Sequence, residues 1–228
     1  MKIGLLGYGK MGKEVEKKIL QKGYSVAFKI NSKNTKDLNS STLKKSDVVI
    51  EFSNPEIAFQ NIKFCIENQT PIVCGTTGWL DKINDVAKLC KTHNGTVLHA
   101  PNFSIGMNLF FEINNYMSKL MKNKNYDILI EETHHHMKKD SPSGTAIKIS
   151  NDIKKIQLNA KEKIHIVSKR IGDVKGEHTV KYISEFDDIY ISHKANNRQG
   201  FASGALLAAE FIQNKKGIFT MADVINNI

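Results

Sequence analysis

The densest chemistry in the chain lies at residues 131–146, which read EETHHHMKKDSPSGTA. His134, His135 and His136 offer imidazoles able to give or take a proton near neutral pH, and Lys138 adds a cation. Pro142-Ser143-Gly144-Thr145 has the make-up of a helix N-terminus that Ser143 can cap. Amides near Gly144 and Thr145 then face outward, where an anion such as a carboxylate is favoured. The combination describes a pocket for an anionic substrate that is protonated during reaction. In an extended segment His134 and His136 point one way and His135 the other. Three adjacent histidines are poor geometry for holding one ion, so no metal is expected.

A second pattern sits at the N-terminus. Gly7-Tyr8-Gly9-Lys10-Met11-Gly12 is G-x-G-x-x-G, placed directly after an apolar strand and opening a helix. The first glycine allows the tight turn, the second lets the backbone approach a pyrophosphate, and the third lets helix and strand pack closely. Gly7, Tyr8, Gly9, Lys10, Met11 and Gly12 are therefore expected to cradle a dinucleotide. The acidic residue that commonly holds the ribose 2′-hydroxyl at the end of the second strand is missing; that stretch is Lys29, Ile30, Asn31, Ser32 and Lys33. A cationic, uncharged-polar pocket tolerates a 2′-phosphate better, so NADPH is favoured over NADH, with Lys29 among the cofactor contacts.

These patterns need elements to position them. Lys2–Leu6, Ser25–Ile30, Asp47–Phe52, Pro71–Cys74 and Thr96–Ala100 read as strands, with helices at Met11–Lys22, 55–67 behind the Asn54 cap, and Asp81–Thr92. The stretch from Asn31 to Ser46 reads as loop with at most one short helix. This order implies a parallel sheet wrapped by helices. After about Ser104 the grammar changes to helix Ile105–Met121, strand Tyr126–Thr133, helix Ser143–Leu158, strands Ile164–Lys169, Glu177–Ser184 and Asp188–His193, and a final helix Phe201–Gln213. The last two of these strands are joined by a hairpin turn at Glu185-Phe186-Asp187. The expected fold is α/β: a Rossmann-type nucleotide-binding domain from 1–104 and 201–228, plus an α+β domain from 105–200 with a mixed, largely antiparallel sheet.

Composition narrows the class. With 228 residues, 40% hydrophobic and 25% charged, the chain is an ordinary globular one, and no apolar run approaches a membrane span. The N-terminus reaches glycine too soon for a signal peptide, and Cys65, Cys74 and Cys90 read as reduced thiols of a cytoplasmic protein. The net charge of +10 raises the question of nucleic acid. Only Arg170 and Arg198 are arginines, and the lysines are scattered, so a lysine-coated enzyme is expected rather than a nucleic-acid binder.

The chain resembles the dihydrodipicolinate reductases, also called 4-hydroxy-tetrahydrodipicolinate reductases. Their signature H-H-x-x-K-x-D-x-P-S-G-T-A is matched by His134, His135, Lys138, Asp140, Pro142, Ser143, Gly144, Thr145 and Ala146. The resemblance also carries GYGKMG at 7–12, EFSNPE at 51–56, CGTTGW at 74–79, APNFSIGMN at 100–108, RIGDVKGEHTV at 170–180 and SHKANNRQGFASGA at 192–205. It implies reduction of a cyclic dicarboxylate by NADH or NADPH on the diaminopimelate route to lysine, with hydride passing to ring C4 as the 4-hydroxyl leaves as water. It implies His134 as the acid/base residue and Lys138 as its proton-donating or charge-steadying partner. His135, Ser143, Gly144 and Thr145 would hold the substrate carboxylates. Gly75, Thr76, Thr77, Ala100, Pro101, Asn102 and Phe103 would lie near the nicotinamide and its ribose. A homotetramer, built by packing the second domains' sheets together, is also implied. The sequence departs from the family in the missing second-strand acid and in being shorter than many relatives; His136 stands at a variable position and takes no role. The alternatives are another two-domain nicotinamide-dependent reductase of a small anionic substrate, from which the 134–146 loop sets this chain apart, and a non-enzymatic binding module.

Overall fold

The computed structural model describes residues 1–157, 164–197 and 199–227. The chain divides into two compact units, one of Met1–Ile105 with Gln199–Ile228 and one of Gly106–Arg198.

The first unit is built from β1 (Lys2–Leu6), α1 (Lys10–Gln21), β2 (Ser25–Ile30), α2 (Ser40–Leu43), β3 (Val48–Glu51), α3 (Pro55–Glu67), β4 (Ile72–Cys74), α4 (Ile83–His93) and β5 (Thr96–His99). The chain returns to this unit as α7 (Gln199–Phe211), β10 (Gly217–Phe219) and α8 (Met221–Ile225). Six parallel strands run in the order β10-β5-β4-β3-β1-β2. The central runs Ile3–Leu6, Val48–Ile50, Ile72–Cys74 and Val97–Leu98 are continuously apolar because both faces are covered. Ile3, Leu5, Val48 and Ile50 pack with α1, α7 and α8; Leu6, Val49, Ile72 and Val97 pack with α3 and α4 on the other face. Truncating a fully buried residue such as Ile50 to Ala would cost about 2–5 kcal/mol.

Helix starts follow local chemistry. The Asn54 side chain accepts from Ile57 N at 3.2 Å, and Pro55 opens α3 as its spacing foretells. α4 begins at Ile83, later than Asp81, because Leu80–Lys82 forms a 3-10 turn; α7 begins at Gln199, ahead of Phe201. α7 is not the last element. β10 and α8 follow it, and Gly217–Phe219 pairs in parallel with Thr96–Leu98 of β5. Three residues carry no readable alternation, so the sixth strand exists only through this pairing. Asn31–Ser46 contains a 3-10 turn at Thr35–Asp37 besides the short α2.

The second unit contains α5 (Ile105–Leu120, its first residue in the first unit), β6 (Asp127–His134), α6 (Gly144–Ile156), β7 (His165–Arg170), β8 (Glu177–Ile183) and β9 (Asp188–Lys194). The end of α6 expected at Leu158 lies outside the described residues, as does Arg198. The sheet order is β7-β6-β8-β9, with β6–β7 parallel and the other pairs antiparallel. The β8–β9 hairpin closes with Ser184 N donating to Asp187 O at 3.0 Å. One sheet face buries Ile130, Val180 and Tyr182 against Phe110, Phe111, Ile149 and Ile153 from α5 and α6. The other face carries partly exposed pairs, among them Lys181 with Glu131 at 3.0 Å.

Candidate active site

In the first unit, register brings the sequence-selected loops to one edge. Leu6 pairs with Ile30 and Glu51, Glu51 with Cys74, and Cys74 with His99. The segments that begin at Gly7, Asn31, Phe52, Gly75 and Ala100 therefore all leave from the carboxyl ends of the strands. Strand order reverses between β1 and β3, which is where such sheets take ligands. Gly7 has φ +89, and a Cβ there would lie 2.0 Å from Phe52 O. A Cβ on Gly12 would lie 2.3 Å from Gly7 O, whereas one on Gly9, at the N-terminus of α1, meets nothing within 4 Å. Two glycines thus serve close packing and the middle one opens outward, as a dinucleotide phosphate requires. These residues fit a nucleotide cofactor.

Around this edge, the Thr76 hydroxyl accepts from Ser53 N at 2.9 Å and the Thr76 carbonyl from Trp79 Nε1 at 2.9 Å; Thr77 is exposed. Ala100 N donates to Cys74 O, Asn102 Oδ1 accepts from Ser104 N at 2.8 Å, and buried Phe103 meets Phe52 edge-on at 5.8 Å. Pro101 is exposed. Lys29 is engaged: Nζ pairs with Glu16 at 2.9 Å and stands 5.0 Å over the Tyr8 ring, whose hydroxyl also donates to Glu16. Lys10 and Met11 form the first residues of α1.

In the second unit, strand register assembles a polar row at the end of the buried sheet face. β6 places Ile128, Ile130, Glu132 and His134 on that face by its period of two. Glu132 pairs with Ser168 of β7 and His178 of β8, and His178 with His193 of β9; His134 pairs with Arg170. Glu132 is fully buried. Its Oε1 accepts from Ser143 N (3.0 Å), Ser168 Oγ (2.7 Å) and Arg170 (3.3 Å). Its Oε2 stands 3.5 Å from His134 Nδ1 and 3.6 Å from His178 Nε2. The two imidazoles meet edge-on with centroids 5.0 Å apart.

This packing sets the charges. Burial acts to raise the Glu132 carboxyl, but the adjacent His178 and the hydrogen bonds from Ser143 and Ser168 outweigh it and hold the group well below the usual carboxylate range. Burial first, then the positive potential of His178, lowers His134 to about 4, so in the free protein it is neutral at pH 7. Both shifts weaken the fold in acid: the unfolded chain binds these protons first, so stability present above the ordinary pKa values is lost as pH falls through the folded ones.

The 134–146 loop departs from its expected geometry at one point. β6 ends at His134 and the chain turns at His136, so His134 is buried while His136 is exposed. The extended alternation that puts them on one side does not continue. His135 is half-buried. Lys138 Nζ is held by both oxygens of Asp140, at 2.9 and 3.0 Å. Ser143 caps α6: its Oγ accepts from Ala146 N at 3.2 Å and faces His178 Nε2 at 3.3 Å. Gly144 and Thr145 form the first turn of α6. Arg170, His178 and His193 fall inside the motifs at 170–180 and 192–205, and Glu132 inside 131–146, but none of them is singled out there, and Ser168 lies in no motif. The detectable signal was two polar residues, Glu132 and His134, continuing the inward period of Ile128 and Ile130.

Glu132, His134 and His178 are also of metal-ligand type, with ligand atoms within 4.8 Å of one another. Arg170 on Glu132 and Lys138 near His134 surround the group with positive charge, which opposes a dication.

A doubly wound nucleotide-binding sheet with a glycine cradle, and a separate mixed sheet carrying a buried carboxylate–imidazole cluster, define a two-domain nicotinamide-dependent oxidoreductase. The family model described as "Dihydrodipicolinate reductase, N-terminus" matches residues 1–103, and that described as "Dihydrodipicolinate reductase, C-terminus" matches 106–225. The chain belongs to the dihydrodipicolinate reductase family. It is 42% identical to the 4-hydroxy-tetrahydrodipicolinate reductase of Christiangramia forsetii over 100% of this chain and 99% of that one. It is 34% identical to that of Neisseria gonorrhoeae over 90% and 82%. The fold matches a dipicolinate-bound dihydrodipicolinate reductase from Paenisporosarcina sp. TG-14 with a TM-score of 0.82, at 23% identity, covering 96% of this chain and 97% of that one. Among the described residues, no helix is long and apolar enough to cross a membrane.

Proposed function

We propose that the chain reduces 4-hydroxy-tetrahydrodipicolinate to tetrahydrodipicolinate, with loss of water, in lysine biosynthesis through diaminopimelate. The observation that carries the reading is the buried His134, with Glu132 behind it and the Lys138 loop leading into the capped start of α6. A bound reduced nicotinamide supplies a hydride. The protein's part is to hold the dicarboxylate and manage the proton. Lys138, His135 and the first turn of α6 at Ser143, Gly144 and Thr145 receive the carboxylates. Ser143 does so through the helix start it caps, because its own amide and hydroxyl already have partners. Water is lost by elimination of the 4-hydroxyl with a proton from the adjacent ring carbon. Hydride then adds to C4 of the conjugated imine, and His134 delivers the proton that quenches the electron density left on that adjacent carbon while Lys138 steadies the developing charge.

A neutral His134 must first acquire that proton. The substrate brings two negative charges towards an imidazole held down at about 4, and raises its proton affinity. Affinity for pyridine-2,6-dicarboxylate is therefore expected to strengthen as pH falls from 8 to 6, by up to about tenfold per unit. Calorimetry in buffers of different ionisation heat should show proton uptake. A pH-independent affinity with no buffer effect would contradict this.

For the cofactor, the first unit supports the cradle at Gly7–Gly12 and contacts from Gly75, Thr76, Thr77, Ala100, Pro101, Asn102 and Phe103. NADPH is favoured because no carboxylate ends β2 and Lys29 lies beside the cradle. Lys29→Ala is expected to raise the KM for NADPH about two- to fivefold, the scale of one exposed ionic contact, and to leave that for NADH unchanged. Equal changes for both would remove Lys29 from the 2′-phosphate. A homotetramer is supported by the open sheet face with exposed Tyr190 and by the outer edges of β7 and β9, which no other described strand pairs. Light scattering should give four times 25.6 kDa. The three buried free thiols suit a reducing cytoplasm.

The test is oxidation of NADPH and NADH in the presence of freshly made product of dihydrodipicolinate synthase. Substrate-dependent oxidation supports the reading. A folded, nucleotide-binding protein that oxidises neither would overturn it.

A further inference from the structure

We propose that Glu132 is the positioning residue of this site: through Oε2 it holds the His134 imidazole in the tautomer protonated at Nδ1, and through Oε1 it fixes the start of α6. The inference rests on the acid/base role of His134.

The two oxygens of this carboxylate have different work. Oε1 gathers three donors from two segments, Ser143 N at the start of α6 and Ser168 and Arg170 of β7. That set alone would account for a structural ion pair. Oε2 makes no hydrogen bond among the described residues, and its neighbours are His134 Nδ1 at 3.5 Å and His178 Nε2 at 3.6 Å. A fully buried carboxylate oxygen carries a large desolvation cost unless a donor faces it. A small ring rotation brings Nδ1–H onto it. His134 Nδ1 likewise has no other partner in the described residues.

At the opposite ring edge a glycine keeps a Cβ away from the imidazole. Gly176 has φ +143, and a Cβ there would lie 3.3 Å from His134 Nε2. With Nδ1–H turned to Glu132, Nε2 carries the exchangeable lone pair on the side where glycine leaves room. The groups facing His134 are Glu132 on its own strand, His178 of β8, Lys138 of the following loop and Arg170 of β7, with His193 of β9 behind His178. Of those facing the ring, Glu132 favours its protonation, and His178, Lys138 and Arg170 oppose it. Glu132 thus couples two properties: which nitrogen is free, and how readily it takes a proton when substrate arrives.

The experiment is nitrogen NMR of the imidazoles in the full-length protein, assigned with H134N, together with the kinetics of E132Q. Wild type is expected to show neutral His134 at pH 7 with its proton on Nδ1. E132Q is expected to lose about 10- to 100-fold in kcat, the usual scale for a partner behind a reacting group. Its pH profile should shift to lower pH, and nucleotide affinity should stay unchanged. A proton on Nε2 in wild type overturns the proposal even if E132Q fails to fold. So does E132Q with wild-type kcat and pH profile, or wild-type activity lost to a chelator and restored by zinc. Absence of substrate reduction by wild type would instead strike the functional reading, since the tautomer is read without substrate.

Discussion

His134→Ala and Lys138→Ala are each expected to lower turnover by about 10²-fold or more, the typical loss when a general acid is removed. Both should bind NADPH as wild type does, because the two residues lie in the second compact unit and the glycine cradle in the first. His134 is largely buried against Glu132 and His178, so its truncation also leaves a small cavity; the thermal midpoint serves as the control. Lys138 is more exposed and its ammonium pairs with the exposed Asp140, so its loss should leave stability nearly unchanged. Single-turnover hydride transfer with saturating cofactor separates the roles. Normal turnover in either variant, or loss of nucleotide affinity in either, would contradict the division of labour.

The second large effect concerns the cradle. Gly7→Ala places a Cβ 2.0 Å from Phe52 O and 2.7 Å from Ser53 N, at φ +89. Backbone cannot yield cheaply there, and the left-handed conformation alone costs about 1–2 kcal/mol for a residue with a Cβ. The expected outcome is a strongly lowered thermal midpoint with nucleotide binding lost. Gly9→Ala is the informative companion. Its Cβ meets nothing within 4 Å and Gly9 has φ −85, so the fold should be untouched. If a pyrophosphate closes on that backbone, a methyl group there must still weaken it, by about tenfold or more for a contact worth at least 1.4 kcal/mol. Unchanged nucleotide affinity in a stable G9A protein would remove Gly9 from the cradle.

Much of the fold was legible because its signals are local. The apolar runs of β1 and β3, the Asn54–Pro55 start of α3 and the Ser143 cap of α6 each follow from a few adjacent residues. β10 was not legible, since Gly217–Phe219 becomes a strand only by pairing with Thr96–Leu98. The site divides in the same way. The 134–146 loop announces proton and anion chemistry through its residue types. Glu132 does not, because its meaning comes from register: Ser168, His178 and Arg170 reach it from strands 36 to 46 residues away in the chain or by turns that no spacing encodes. His136 shows the limit from the other side, since alternation predicts the wrong face once β6 stops at His134.

The most direct test of the central claim uses NADPH deuterated at the transferable C4 position, with freshly prepared dihydrodipicolinate synthase product as the partner substrate. The product tetrahydrodipicolinate should carry one deuteron, at ring C4, in wild type, and form at least about 10²-fold more slowly in His134→Ala. Deuterium elsewhere in the ring, or none in a product formed at the rate of cofactor oxidation, would contradict the account.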